Sequence, residues 1–233
     1  MIEKIQRLKP AHRKAIETWV DAHLSPLYEE KDSYGIEDIE LILSHFPADK
    51  KWTAEELEDE YIFPPDLTVK IELIDYSLHV MPDPTARHQE ILGNIFAAIH
   101  QFMKKHKLGK VYPAPFSLHI DEGNVRKPDI VVVLSQKVDR VTARGIAEAP
   151  DLVVEVMSPA NYKKLREEKK KAYADFGIRE YWEIYPEEEK IQVSKLLAET
   201  GYQVFSVASP TADNTVAHSK ILEGFSLSLE AVF

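Results

Sequence analysis

An acidic side chain lies inside one of the most apolar stretches of the chain. Glu155 interrupts the sequence Asp-Leu-Val-Val-Glu-Val-Met at 151–157, a pattern that is typical of a buried strand. A buried carboxylate without a partner costs several kcal/mol, so Glu155 must be paired, hydrogen-bonded, protonated or bound to a metal ion. A structural ion pair or a half-exposed edge strand would explain this residue equally well.

A second carboxylate opens the neighbouring apolar run. Asp129 follows Pro128 and precedes Ile-Val-Val-Val-Leu at 130–134, which indicates a strand buried on both faces. Taken alone, this aspartate is more typical of a turn or a strand start. Two carboxylates on adjacent central strands repel each other unless a cation lies between them. Because hard carboxylate oxygens suit Mg²⁺ or Mn²⁺, Asp129 and Glu155 are the candidate metal ligands.

One lysine stands apart in a strongly basic segment. Residues 161–171 carry six basic and two acidic side chains, a local charge of +4, and most of them are expected to form a solvated helix face. Lys169 lies four residues after Leu165 and four before Tyr173, so it falls on the apolar stripe of the predicted helix. Lys169 is therefore expected to point at the sheet, toward Glu155.

A histidine occupies the inward face of another predicted helix. His88 lies one turn before the apolar stripe that contains Ile91 and Ile95. A lone inward histidine is more often a core residue with satisfied hydrogen bonds than a catalyst. His88 is therefore a candidate catalytic residue only in the company of the carboxylates.

The elements that must position these side chains follow from periodicity and from proline and glycine. A strand at 69–75 with a hairpin partner at 78–81 precedes a long amphipathic helix, which begins near Pro84 and is closed by Gly109. The predicted order from this helix onward is helix, three strands, helix, strand. These elements span 111–120, 125–134 (after a turn at 121–124), 151–157, 161–176 and 180–185, with further short strands near 189–197, 202–207 and 219–229.

Asp129, Glu155 and a sheet-facing Lys169 on this order of elements resemble the PD-(D/E)XK nuclease superfamily. More specifically, the chain resembles the Uma-two family of "putative restriction endonucleases" over about residues 68–233. The resemblance implies an α/β restriction-endonuclease-like core with a mixed central sheet. It is carried by the segments IELID (71–75), MPDPTARHQEILGNI (81–95), KPDIVVV (127–133) and APDLVVEVMSPANYKKLREEKKKAYADFGIREYWEI (149–184).

The resemblance also implies roles for individual residues. Asp129 and Glu155 become the motif acids that hold Mg²⁺ (or Mn²⁺), and His88 matches the family's inward histidine. The superfamily's lysine two residues after the acid is replaced by Met157, and Lys169 takes its part. Glu72 is a candidate additional carboxylate. Tyr76 stands where family members usually have glycine.

The implied activity is divalent-metal-dependent hydrolysis of phosphodiester bonds in DNA, with a homodimer suited to double-strand cutting. A catalytically inactive module that binds nucleic acid or a protein partner on the same fold is the alternative. The chain has no cysteine, which excludes thiolate catalysis and Cys-ligated zinc, and no Gly-rich phosphate loop. It has no apolar run of membrane-spanning length and no apolar N-terminal segment, so we expect a cytoplasmic protein without membrane partners.

Charge is distributed unevenly along the 233 residues. The net charge is −10, and residues 29–60 hold twelve acids and three lysines, a net of −9. Apolar stripes at 15–24 and 36–46 and a Thr53–Glu56 capping pattern indicate helices there. We therefore predict an acidic helical N-terminal extension over 1–60 and a nuclease-like domain over 61–233. A third hypothesis is that residues 29–60 cover the basic helix and inhibit the enzyme in cis.

Overall fold

The computed structural model describes residues 33–59, 62–63, 67–81, 83–158 and 163–233. The apolar stripe at 15–24 lies outside these residues. Two main sheets, a small strand pair and four α-helices are assigned within them. No helix in this part of the chain has both the length and the apolar character needed to cross a membrane.

The large sheet is mixed and carries the predicted core. Its antiparallel pairs flank one parallel pair, β7 (Leu152–Val156) with β8 (Glu180–Tyr185), whose connection runs through a helix. The predicted order of helix, three strands, helix, strand is confirmed by α3 (Ala86–His106), β3 (Gly109–Pro113), β6 (Ile130–Leu134), β7, α4 (Lys163–Phe176) and β8. In spatial order the strands are β10 (Gly201–Ala208), β9 (Lys190–Leu197), β8 (Glu180–Tyr185), β7 (Leu152–Val156), β6 (Ile130–Leu134) and β3 (Gly109–Pro113).

A smaller antiparallel sheet lies beside the large one. The predicted hairpin is confirmed as β1 and β2, joined by Asp75 and Tyr76, which both adopt positive φ angles of 48° and 63°. Two left-handed residues in succession match the twist of a tight hairpin. The spatial order is β2 (Ser77–Met81), β1 (Lys70–Ile74), β5 (Asn124–Arg126) and β4 (Leu118–Asp121).

Two strand predictions were wrong in extent. The segments 111–120 and 125–134 are each divided between the two sheets, because Pro115 and Pro128 have no N–H to donate to a ladder. The turn at 121–124 is the β4–β5 hairpin, as expected. The segment 219–229 is not a single strand either: β11 (Val216–His218) and β12 (Ser226–Ser228) pair across a loop.

The two long helices cover opposite faces of the large sheet. Helix α3 buries its stripe, Ile91 to Met103, against one face, and α4 packs Tyr173 against the other. Strands β6 and β7 are buried on both faces as predicted. The limits of α3 differ from the prediction: Thr85 is its N-cap, and Lys107, with a φ of 54°, ends it before Gly109.

The described part of the acidic segment packs against the small sheet. Helices α1 (Ile36–Ser44) and α2 (Ala54–Leu57) contribute buried side chains, and Thr53 and Glu56 form the expected capping box. The cluster comprises Ile39, Ile42, Trp52, Leu57, Ile62, Phe63, Ile71, Leu73 and Val125. Residues 33–59 therefore share a core with β1 and β5, and a domain boundary at residue 60 stays a prediction.

Candidate active site

The central strands bring the two motif carboxylates to one end of the sheet. Asp129 immediately precedes β6, and Glu155 lies in β7, which pairs with β6 in antiparallel register. The backbone N–H of Val156 donates to Asp129 Oδ2 at 2.8 Å. Asp129 and Glu155 are each 6% exposed, so each charge needs partners within the protein or a bound ion.

Helix α4 places a cation next to Glu155. Tyr173 is fully buried against the sheet, and one turn earlier Lys169 points in the same direction. Its Nζ lies 2.8 Å from Glu155 Oε1 and 3.1 Å from Glu72 Oε1. Lys169 thus bridges a carboxylate of the large sheet and a carboxylate of the small sheet.

Both bridged carboxylates have a further donor. The Tyr173 hydroxyl donates to Glu155 Oε1 at 2.7 Å, and the Lys127 backbone N–H donates to Glu72 Oε1 at 3.0 Å. Each of these two Oε1 atoms therefore contacts two donors, Lys169 and the further donor, and the orientation of each carboxylate is fixed. The hydroxyl of Tyr173 therefore orients an acidic group, a role that its place on the apolar stripe did not reveal.

Two basic side chains contact the carboxylate oxygens of Asp129. His88 Nε2 lies 3.4 Å from Asp129 Oδ2, and Lys70 Nζ lies 3.3 Å from Oδ1. His88 points into the site from the first turn of α3. Lys70 was missed from the sequence, although it shares a strand face with Glu72 in the alternating run and that shared face was the available signal.

These charges set the acid strengths in the site. Burial would raise the pKa of Asp129, but the hydrogen bond from His88 and the charges of Lys70 and Lys169 lower it below its usual range. Burial also opposes ionisation of Glu72, whose pKa is nevertheless lowered by Lys169 and Lys70. The pKa of Glu155 is raised, chiefly by burial and by its acidic neighbours Asp129 and Glu72, against the attraction of Lys169.

Lys169 remains a cation despite its burial. Burial would lower the pKa of this lysine, but Glu155 and Glu72 raise it well above the ordinary value. At neutral pH its side chain is therefore an ammonium ion, a fixed positive charge and a hydrogen-bond donor.

The three carboxylates, Lys169, Lys70 and His88 all line one cleft of about 760 Å³. The cleft lies between the small sheet, the carboxylate end of the large sheet and the start of α4. Besides the carboxylates, its walls carry a set of cationic side chains: Lys70, Arg87, Arg126, Lys127, Arg144, Arg166 and Lys169. A cleft that carries both acids and cations suits a phosphate-bearing ligand together with a metal ion.

The donor set fits a hydrated Mg²⁺ ion better than a fully protein-ligated metal. Among the described residues, no group of three or more His, Asp and Glu side chains is arranged to hold a metal ion. Mg²⁺ usually keeps several waters and needs only one or two carboxylates. Asp129 and Glu155 meet that need, and the like charges that raise the pKa of Glu155 are relieved by a divalent cation.

Met157 stands at the position where the superfamily usually has its lysine, so that position carries no charge. Its side chain is 7% exposed and joins the apolar cluster of Tyr173 and Tyr181. The cation nearest to Glu155 comes from α4 instead, at the position of Lys169. Two different backbone elements therefore supply the acid and the lysine of this site.

Comparison with known proteins shows the family of the chain. The Uma2 (Uma-two) family model, described as "Putative restriction endonuclease", matches residues 55–230. The chain belongs to the Uma2 family. The match spans β1 to β12 and includes every residue of the site described above. It begins inside the acidic segment, at Glu55 of α2.

A solved structure shares the fold. The crystal structure of a "putative nuclease belonging to DUF820" from Anabaena variabilis is similar to this chain with a TM-score of 0.57 and 20% sequence identity. The similarity covers 70% of this chain and 89% of the other. None of the curated proteins matches this chain. The Uma2 fold, with its mixed sheet, is thus supported both by the family model and by the shared architecture.

Proposed function

We propose that this Uma2 protein is a divalent-metal-dependent endonuclease that hydrolyses phosphodiester bonds in DNA. The observation that carries the proposal is the meeting of three groups in one cleft: Asp129 precedes β6, Glu155 lies in the paired strand β7, and Lys169 Nζ lies 2.8 Å from Glu155 Oε1. Asp129 and Glu155 would hold Mg²⁺ or Mn²⁺. When bound, the ion supplies Lewis-acid polarisation of the scissile phosphate and lowers the pKa of a water molecule.

Lys169 acts on the charge of the reacting phosphate. Its ammonium group is held by Glu155 and Glu72, so it is pre-oriented before substrate binds. A fixed donor in a partly dehydrated cleft stabilises developing negative charge more strongly than a mobile one, because it needs no reorganisation. Glu72 is therefore a positioning residue in this proposal, and its role is to fix Lys169.

Asp129 is kept ionised and immobile. The Val156 N–H holds one carboxylate oxygen at 2.8 Å, and the charges of the neighbouring basic side chains keep its pKa low. His88, at 3.4 Å from the same oxygen, lies where it can donate to Asp129 or to a phosphate oxygen. We assign His88 a substrate- or water-orienting role.

The decisive test is cleavage of plasmid and single-stranded DNA with Mg²⁺ or Mn²⁺. Glu155→Gln and Asp129→Asn should each reduce cleavage by on the order of 10²–10³-fold while leaving the fold intact. Equal cleavage by the wild-type protein and both variants would refute the assignment of these residues. Using the two substrates also separates duplex from single-strand activity.

Glu183 offers a matched control. It lies directly beside Glu155 in the β7–β8 register, is 2% exposed, and pairs with Lys170 at 2.9 Å. It does not line the cleft. Glu183→Gln therefore removes an equally buried, lysine-paired carboxylate, and it should leave cleavage within about twofold of wild type.

The alternative function, a binding module without catalysis, has one observation in its favour. Lys169 already supplies a positive charge between Glu155 and Glu72, and such an ion pair is stable without metal. A binding module should bind DNA with salt-sensitive affinity and show no Mg²⁺-dependent turnover. The same cleavage assay therefore separates the two functions.

A further inference from the structure

A carboxylate from the acidic segment lines the cleft and contacts two basic side chains. Glu58 follows α2, and its Oε1 lies 2.9 Å from His119 Nε2 while its Oε2 lies 3.3 Å from Arg144 Nη1. Glu58, Arg144 and Lys127 line the same cleft as the candidate active site. This contact involves none of the residues assigned to catalysis.

The basic partners of Glu58 are held in place by the fold. His119 belongs to β4, and its Nε2 also donates to the Arg144 carbonyl at 2.9 Å. Arg144 lies in a tight turn closed by Thr142 and Gly145. Gly145 has a φ of +120°, and a Cβ there would lie 2.1 Å from the Ser117 carbonyl oxygen. The turn therefore requires glycine and fixes the position from which Arg144 extends.

The basic partners remain accessible from solvent. The Arg144 side chain is 64% exposed, and the side chains of Glu58 and His119 are each 19% exposed. Lys127 adds a third positive charge, which interacts with both Glu58 and Glu72. The backbone N–H of Lys127 also donates to Glu72, and Glu72 pairs with Lys169. These contacts connect the group of cations to the network around Lys169.

We propose that His119, Arg144 and Lys127 form a binding subsite for a phosphodiester group of the nucleic-acid strand next to the scissile one, and that Glu58 occupies this subsite as a built-in competitor. A carboxylate and a phosphate are both anions that accept hydrogen bonds from arginine and imidazolium groups. Substrate binding displaces Glu58 from Arg144 and His119. The proposal rests on the proposed function in taking a nucleic acid as the ligand.

This subsite also gives the acidic segment a defined role. Residues 29–60 carry a net charge of −9, and their described part is anchored on β1 and β5 by apolar packing. That packing holds Glu58 at a high effective concentration beside Arg144. The inhibition suggested from the sequence would therefore act in the cleft, through Glu58.

The test is DNA affinity in EDTA, measured by fluorescence anisotropy with a labelled duplex and a labelled single strand. If Glu58 fills the subsite about nine-tenths of the time, Glu58→Gln lowers the apparent Kd about tenfold. Glu55→Gln is the matched control, since it removes the same charge from an exposed position of the same helix. The gain should vanish in the double variant Glu58→Gln/Arg144→Ala.

Three outcomes overturn the proposal: an unchanged or weaker affinity in Glu58→Gln, an equal gain in Glu55→Gln, or no DNA binding by any variant. Should Glu58→Gln fail to fold, Arg144→Ala on the exposed turn still tests the subsite. That variant should reduce the slope of log affinity against log salt by about one, and an unchanged slope refutes the contact. Because EDTA prevents metal-dependent cleavage, this result stands or falls separately from the catalytic assignment.

Discussion

Replacing Lys169 with methionine removes a cation from between two buried carboxylates while keeping a side chain of similar length. The Lys169 side chain is 15% exposed, and those of Glu72 and Glu155 are 2% and 8% exposed. We expect the variant to lose about 3–5 kcal/mol of unfolding free energy near neutral pH, the cost of breaking a buried ion pair from one side.

The magnitude follows from the two short contacts. At separations of 2.8 and 3.1 Å and an effective dielectric constant of about 20, the gross attractions are about 6 and about 5 kcal/mol. In the wild-type protein, most of this is offset by the dehydration of three ions, which costs several kcal/mol each. In Lys169→Met the two carboxylates stay dehydrated and lose their common partner, so the loss is a substantial fraction of the gross attraction.

The loss should depend on pH in a defined direction. Burial alone would raise the pKa of Glu72, but Lys169 and Lys70 lower it below 4.5, so in the wild-type protein Glu72 adds stability above that pH and loses it as the pH falls. Without Lys169, the pKa of Glu155, which burial and its acidic neighbours already raise, rises further, and Glu72 loses the largest of the attractions that lower its pKa. The stability lost in the variant therefore grows as the pH rises, by up to about 1.4 kcal/mol per pH unit for a carboxylate whose folded-state pKa lies above its unfolded value.

Urea unfolding at about pH 5 and about pH 8, followed by tryptophan fluorescence, measures both effects. Lys170→Met is the control, since among the described residues Lys170 pairs with a single carboxylate, Glu183, and Gln192 and Tyr185 still donate to that carboxylate. Its loss should be about half as large. Equal destabilisation by Lys169→Met at both pH values, or a loss no larger than that of Lys170→Met, would refute the reasoning.

Two further predictions concern the metal ion and the C-terminal strands. Mg²⁺ should raise the Tm of the wild-type protein increasingly from about pH 5 to about pH 8, because burial and acidic neighbours raise the pKa of Glu155 and its proton must leave when the ion binds. Glu155→Gln should abolish this shift, and an unchanged shift in that variant contradicts the site. Glu180→Gln should cost about 3 kcal/mol in urea unfolding, because this fully buried carboxylate accepts hydrogen bonds from Trp182, Ser219 and two backbone amides. The exposed Glu188→Gln should change little, and a similar loss in both would count against that explanation.

The direction of Lys169 was predictable because helical periodicity is a local property. Its spacing from Tyr173 placed both on one face of α4, and the fully buried Tyr173 aims that face at the sheet. The apolar runs around Glu155 and Asp129 likewise identified two doubly buried strands, since burial on both faces removes the alternation of polar residues. Such signals need only the neighbours in sequence.

The contacts of Lys70, Lys127 and Glu58 were not predictable in the same way. Lys70 contacts a carboxylate 59 positions away, and Lys169 reaches Glu72 across 97 positions. Such pairings depend on how the small sheet sits against the large one. No local pattern encodes that packing: the alternating strand places Lys70 and Glu72 on one face, but it does not show that this face meets Asp129.

The strand limits between 109 and 134 also depend on packing that the local sequence does not encode. Two long strands were predicted over 111–120 and 125–134, yet the chain moves from one sheet to the other at Pro115 and again at Pro128. This exchange places β5 beside β1 and β4 beside β5, and Lys127, which follows β5, lines the cleft.

Residue types, their periodicity and the family motifs were enough to predict the class of fold and to place Asp129, Glu155 and Lys169 on the elements that carry them. The tertiary structure alone decided which charges meet, because attraction between ions depends on distance and burial and both are set by packing between distant segments. Thus the sequence located an acidic segment of net charge −9, and the folded chain determined that one of its carboxylates, Glu58, lies in the cleft beside Arg144.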